Sequence, residues 1–220
     1  MAPLHTEHLK IVVSALAQKL DSLNVDYAIM GGAATCLYTD DPGRRTEDVD
    51  LVIHVDDRMI TADNLTTRLL TDFPSDFEGV SQFGHIIPAY KLRLPGGAVQ
   101  LVELEVFDFH SWPQRPQYNI QSATRTTLNI NGHGVKFFSP EWILREKILS
   151  QYQRQGGEKE RTDIRDIRSM IPLTAPGRPE LDFNQSQELQ TALANLVQKR
   201  PDLAQGLKAK IKCSPVFQNW

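Results

Sequence analysis

YAIMGGAATCLYTDDPGRRTEDVDLVI, residues 27–53, joins an apolar run ending in two glycines to a second apolar run that opens on two aspartates. Residues 25–30 predict a short buried strand, Gly31 and Gly32 a tight turn, and residues 33–38 the first turns of a helix. Glycines without Cβ atoms let an anion approach backbone N–H groups, and the helix N-terminus adds the positive end of its dipole. Asp48 and Asp50 stand two apart at the head of a β-branched run through residue 55, so a strand places both carboxylates on one face. Two carboxylates on one face repel unless a cation lies between them. An all-oxygen donor set of this kind suits Mg²⁺, which also travels with nucleotide phosphates.

The order strand, GG, short helix, a loop carrying Arg44-Arg45-Thr46, then DVD on a second strand brings both halves to the same sheet edge. It resembles the nucleotidyltransferase superfamily of DNA polymerase β, whose pattern is a GG or GS turn followed by a two-carboxylate motif. The phrase RRTEDVDLVI is most similar to the minimal, AbiEii-like (type IV toxin) branch. The resemblance implies an α/β (α+β) nucleotidyltransferase fold, a short mixed sheet flanked by helices, over residues 1–138, with an α-helical C-terminal region over 139–220. It also implies transfer of a nucleoside monophosphate from an NTP to an acceptor hydroxyl, with pyrophosphate release and two Mg²⁺ ions on Asp48 and Asp50. Gly31 and Gly32, with Thr46, would contact the nucleotide. The acceptor stays open between tRNA or another RNA, a protein side chain and a small molecule. A different class also fits, a nucleotide- and metal-binding protein without turnover that acts through a protein partner.

A chain of 220 residues with 40% hydrophobic and 23% charged content is long enough to bury a real core and ordinary for a globular protein. No apolar run approaches a membrane span and the first residues, MAPLHTEHLK, lack a signal-peptide pattern, so a cytoplasmic protein with no membrane partner is expected. Cys36 and Cys213 are far apart with no CxxC partner, which argues against a disulfide framework and a zinc site. The net charge of −3 is unevenly placed: residues 40–108 carry 14 acidic against 6 basic side chains, and residues 109–220 carry 10 against 16. An acidic core suited to cations and a basic annex suited to phosphates is one reading of that asymmetry.

Leu9, Val12, Val13, Leu16 and Leu20 form the stripe of an amphipathic helix over residues 6–23. A helix is expected over 57–73, with Ile60, Leu65, Leu69 and Leu70 inward, and an irregular passage over 74–88. Strands over 90–94 and 98–107 meet at Pro95-Gly96-Gly97, a hairpin signal. In the second of them Leu101, Glu103, Glu105 and Phe107 share a face, and two acids on an otherwise apolar strand are costly if buried without partners. In the superfamily a third carboxylate, usually Asp, stands on such a later strand; Glu105 or Glu103 matches that place, as Glu.

The loop SWPQRPQY over residues 111–118 brings Trp112, Arg115 and Tyr118, which suit base stacking and phosphate contact or simple packing. Asn131-Gly132 marks a second hairpin between strands 127–130 and 135–138. Ser139 and Pro140 start a helix to about residue 155, with Lys147 and Arg154 on one stripe. The next helix, 158–170, carries Asp163 and Asp166 one turn apart. KILSQYQR and TDIRDI are similar to the Lys-x6-Arg and DxxD motifs of the toxin-like branch, which implies that Lys147, with Arg154, grips nucleotide phosphate and that Asp163 and Asp166 support or catalyse. Pairing of Asp163 and Asp166 with Arg161 and Arg165 on the helix surface is the alternative. Residues 172–179 read as a linker, 181–199 as a helix, 201–211 as a last short helix, and Lys208, Lys210 and Lys212 as a basic end.

Overall fold

The stripe of residues 6–23 forms α1 (Thr6–Ser22), and all five of its apolar positions named above are buried. In the computed structural model, which describes residues 2–82 and 84–218, the chain divides into two compact units, Met1–Phe138 and Ser139–Trp220. No helix among the described residues is long and apolar enough to cross a membrane.

The first unit is a mixed α/β fold. Its strands are β1 (Tyr27–Met30), β2 (Asp48–Ile53), β3 (Phe77–Gln82), β4 (His85–Arg93), β5 (Val99–Asp108), β6 (Arg125–Ile130) and β7 (His133–Phe138). They form one seven-stranded sheet in the order β3-β4-β5-β2-β1-β7-β6. Neighbours are antiparallel except β1 with β7 and β2 with β5, which run parallel. Helix α2 (Gly31–Thr39) follows β1 directly, and α3 (Ala62–Asp72) lies between β2 and β3. The period of two is kept: Val49, Leu51 and Ile53 of β2 and Val102 and Leu104 of β5 are buried, whereas Asp48, Asp50, Glu103 and Glu105 are half-buried.

Two of the expected elements lie elsewhere in the structure. Helix α3 starts at residue 62, not 57, because Asp56 accepts from the Arg58 N–H and side chain to close a turn. Its start is fixed instead by Thr61, whose hydroxyl accepts from the Asn64 N–H, and by the buried Asp108 carboxylate, which accepts from the Ala62 N–H at 2.8 Å. The passage 74–88 is not irregular but carries β3 and the first half of β4. Proline at 88 is tolerated because pairing of β4 with β5 begins only at Ala89, so residues 85–88 have a neighbouring strand on one side alone. The Asn131-Gly132 turn has φ of 53° and 80°, the left-handed pair that a two-residue hairpin needs.

The second unit is helical: α4 (Pro140–Gln153), α5 (Glu158–Met170), α6 (Gln187–Lys199), α7 (Ala204–Lys208) and α8 (Ser214–Phe217). Ser139 caps α4 by accepting from the Trp142 N–H, and buried Gln151 donates to the Ala192 carbonyl of α6. Helix α6 starts at residue 187 after a Ser186 cap, six residues later than the apolar pattern suggested. Residues 172–179 are no free linker: Thr174 is buried, its carbonyl accepts from Lys210, and the Ala175 N–H donates to Glu141. Lys212 pairs with Asp182 at 2.8 Å.

Candidate active site

The end of β1 and the start of β2 lie side by side, with Met30 paired to Asp50. On the other flank of β2 the parallel register sets Asp48 opposite Glu103 and Asp50 opposite Glu105. One carboxylate oxygen each from Asp48, Asp50 and Glu105 lies within 4.8 Å of the other two, and all three residues are half-buried. Glu103 turns elsewhere and accepts from the Gln82 amide at 3.1 Å. Of the two glutamates that the strand pattern left open, Glu105 is the one that joins the aspartates. Gln82 lies in the passage read as irregular, and nothing local marked it as a partner for Glu103.

The two glycines are required by what approaches them. Gly31 has φ of 65°, and a Cβ there would lie 1.9 Å from the Asp50 Oδ2 atom. At Gly32 a Cβ would come within 2.5 Å of Thr46 Oγ1 and 3.3 Å of an Arg44 guanidinium nitrogen. The turn therefore lets the carboxylate of β2 and the 44–46 loop close onto the N-terminus of α2, where the helix dipole favours negative charge. Gly31→Ala is expected to cost about 1–3 kcal/mol from backbone strain alone and to displace Asp50. Melting in EDTA and titration with Mn²⁺ read the two effects separately; wild-type values in both would rule out the close approach.

Three carboxylates with oxygen donors only are a chemically apt set for a hard divalent cation such as Mg²⁺. Thr46, buried at 8% exposure, places Oγ1 2.9 Å from Asp48 Oδ1. His85 is exposed on β4 and is not one of the three clustered ligands. The Pro-rich loop packs on β5: Trp112 and Tyr118 both meet the Phe107 ring, Tyr118 is buried, and Arg115 lies 5.6 Å over the Tyr118 ring.

Lys147 and Arg154 belong to the second unit, where their partners are internal. The Lys147 ammonium lies 2.9 Å from Asp163 and 2.7 Å from Asp166, and Arg154 donates to Asp163 at 3.1 Å. Both aspartates are buried and Lys147 is 8% exposed, so the DxxD pair is not a surface feature of α5 but the inner side of its contact with α4. The sequence motif points Lys147 and Arg154 at nucleotide phosphate; in the structure Lys147 neutralises Asp163 and Asp166, which is what lets these three be buried, while Arg154 reaches Asp163 from an exposed position.

No protein-family model matches the chain, and no curated protein sequence does. Among solved structures it is similar to an antigenic nucleotidyltransferase-like protein from Paracoccidioides brasiliensis, at 82% identity over 99% of this chain and 100% of that one, with a TM-score of 0.96. Weaker likenesses are to the antibiotic-resistance factor ANT(2'')-Ia, 14% identical over 91% and 96% of the two chains with a TM-score of 0.46, and to the lincosamide antibiotic adenylyltransferase LnuA, 11% identical over 71% and 94% with a TM-score of 0.39. Identity of 82% along essentially the whole length, on the same fold, means that the chain belongs to the nucleotidyltransferase-like family of the Paracoccidioides protein.

Proposed function

We propose that the protein transfers a nucleoside monophosphate from an NTP to an acceptor hydroxyl and releases pyrophosphate. The observation that carries this reading is the convergence of Asp48, Asp50 and Glu105 within 4.8 Å beside a glycine turn that opens a helix. Asp48, Asp50 and Glu105 would hold Mg²⁺, two ions in the full site. Bound there, the metal would neutralise the triphosphate and lower the pKa of the attacking hydroxyl. Gly31 and Gly32 present the N-terminus of α2 to an anion, so the chain itself supplies positioning and fixed dipoles for the phosphates. Glu105 takes the third-carboxylate role and Glu103 stays outside it, engaged with Gln82. Lys147 is left out of the nucleotide contacts, because its ammonium already faces two buried aspartates, one of which also accepts from Arg154. The likeness of residues 44–53 to the AbiEii-like branch belongs to the same proposal.

Incubation with each α-labelled NTP, Mg²⁺ and total cell extract, followed by separation of RNA, protein and small molecules, tests the reading. A labelled acceptor that appears with wild type and not with Asp50→Asn is the expected result, and the fraction carrying label names the acceptor class. Metal and NTP binding with no label in any fraction would replace the enzyme with a binding protein that acts through a partner.

A further inference from the structure

We infer that Thr46 is a positioning residue for Asp48, acting through the carboxylate and not on the nucleotide. The inference rests on the metal site of the proposed function. Asp48 and Asp50 stand two apart on β2, which sends their side chains to one side, and Thr46 precedes them across a bend at Glu47. The Thr46 hydroxyl is 2.9 Å from Asp48 Oδ1 and 3.3 Å from the Asp48 carbonyl oxygen; the shorter contact is the hydroxyl's donation to the carboxylate. Donation to an ionised acceptor is the stronger class of hydrogen bond.

The hydroxyl is held from three sides. The Thr46 carbonyl accepts from the N–H of buried Leu4 at 2.7 Å, which pins its backbone to the N-terminal segment. Its side chain packs so closely on Gly32 that a Cβ there would meet Oγ1 at 2.5 Å. Its branched Cβ restricts rotation about χ1. A rigid donor on Oδ1 fixes the Asp48 rotamer and leaves the other oxygen, with the remaining lone pairs, for a cation. Three clustered carboxylates repel, and that donor opposes rotation of Asp48 away from the other two. Outer partners of metal ligands work in this way, and their removal weakens metal binding about 10- to 100-fold.

The test uses the full chain and Mn²⁺ alone, without nucleotide, in isothermal titration and in the loss of the free-ion electron paramagnetic signal. Thr46→Val keeps the shape and removes the donor; it is expected to weaken Mn²⁺ binding about 10- to 100-fold, with Thr46→Ser restoring most of it and with melting in EDTA close to wild type. Wild-type Mn²⁺ affinity in Thr46→Val, including the case where only the KM for NTP rises, overturns the inference. So does a large drop in melting temperature shared by the Val and Ser variants, which would make the role one of folding. Failure of the functional reading looks different: Mn²⁺ binding that depends on Asp48 and Thr46 but yields no transfer would remove the enzyme and leave the positioning role intact.

Discussion

Asp48→Asn and Asp50→Asn are each expected to lower kcat/KM for the proposed nucleotidyl transfer by roughly a thousandfold or more, while both proteins fold. The size follows from what a metal site contributes to phosphoryl chemistry: several kcal/mol of charge stabilisation, at about 1.4 kcal/mol per factor of ten. An amide keeps the shape of the side chain and loses the charge that the cation requires. The same loss of charge relieves repulsion among carboxylates whose oxygens lie within 4.8 Å of one another, so the melting temperature in EDTA should hold or rise. Glu105→Gln belongs with the aspartates, and Glu103→Gln, whose carboxylate faces Gln82, should retain activity within a few-fold. Measured kcat/KM and EDTA melts for the four variants decide the matter. Full activity in either aspartate variant would sink the enzyme, and loss of activity in Glu103→Gln with Glu105→Gln unaffected would reverse the assignment of the third carboxylate.

The second large effect is on stability and lies in the helical unit. Lys147→Met is expected to cost about 3–5 kcal/mol, the usual consequence of removing one partner from a buried ion pair. Methionine fills most of the lysine's volume but takes away the ammonium that both Asp163 and Asp166 contact, at 2.9 and 2.7 Å. Arg154 remains on Asp163, but its side chain is about half exposed and does not replace a buried charge. Thermal melting should fall by roughly 10 °C or more. Adding Asp163→Asn to Lys147→Met should recover part of the loss, because one uncompensated carboxylate is removed. A Lys147→Met protein that melts like wild type yet binds NTP weakly would move the lysine from the fold to the nucleotide. That contrast matters because the sequence motifs imply a phosphate-gripping Lys147 and site-supporting or surface-paired aspartates, while the structure pairs Lys147 with Asp163 and Asp166.

The difference between the Lys147 and Asp48 readings shows where local pattern stops. A strand period of two puts Asp48 with Asp50, and Glu103 with Glu105, on shared faces, and this holds whatever the strands pair with. The helical stripe of α1, the Asn131-Gly132 turn and the Ser139-Pro140 start of α4 are likewise interactions between residues a few positions apart. They were legible because the sequence itself contains both partners at fixed spacing. The same spacing gave no means of seeing that residues 77–82 form a strand, since an edge strand with glycine and polar side chains has no strong period of its own.

By itself, then, the sequence determined that two glycines lead from β1 into a helix, which starts at Gly31 itself, the faces of the acidic strands, the second hairpin and the helical character of residues 140–170. Tertiary structure alone decided that Glu105 and not Glu103 joins the aspartates: the parallel register of β2 on β5 sets each glutamate opposite an aspartate, and the Gln82 amide, brought by β3, engages Glu103. It alone showed why position 31 must be glycine, since the reason is an Asp50 oxygen 1.9 Å from where a Cβ would sit. It also made Lys147 a core residue. A lysine is buried only where opposite charges surround it, and those charges arrive from another helix through packing that no spacing along α4 records.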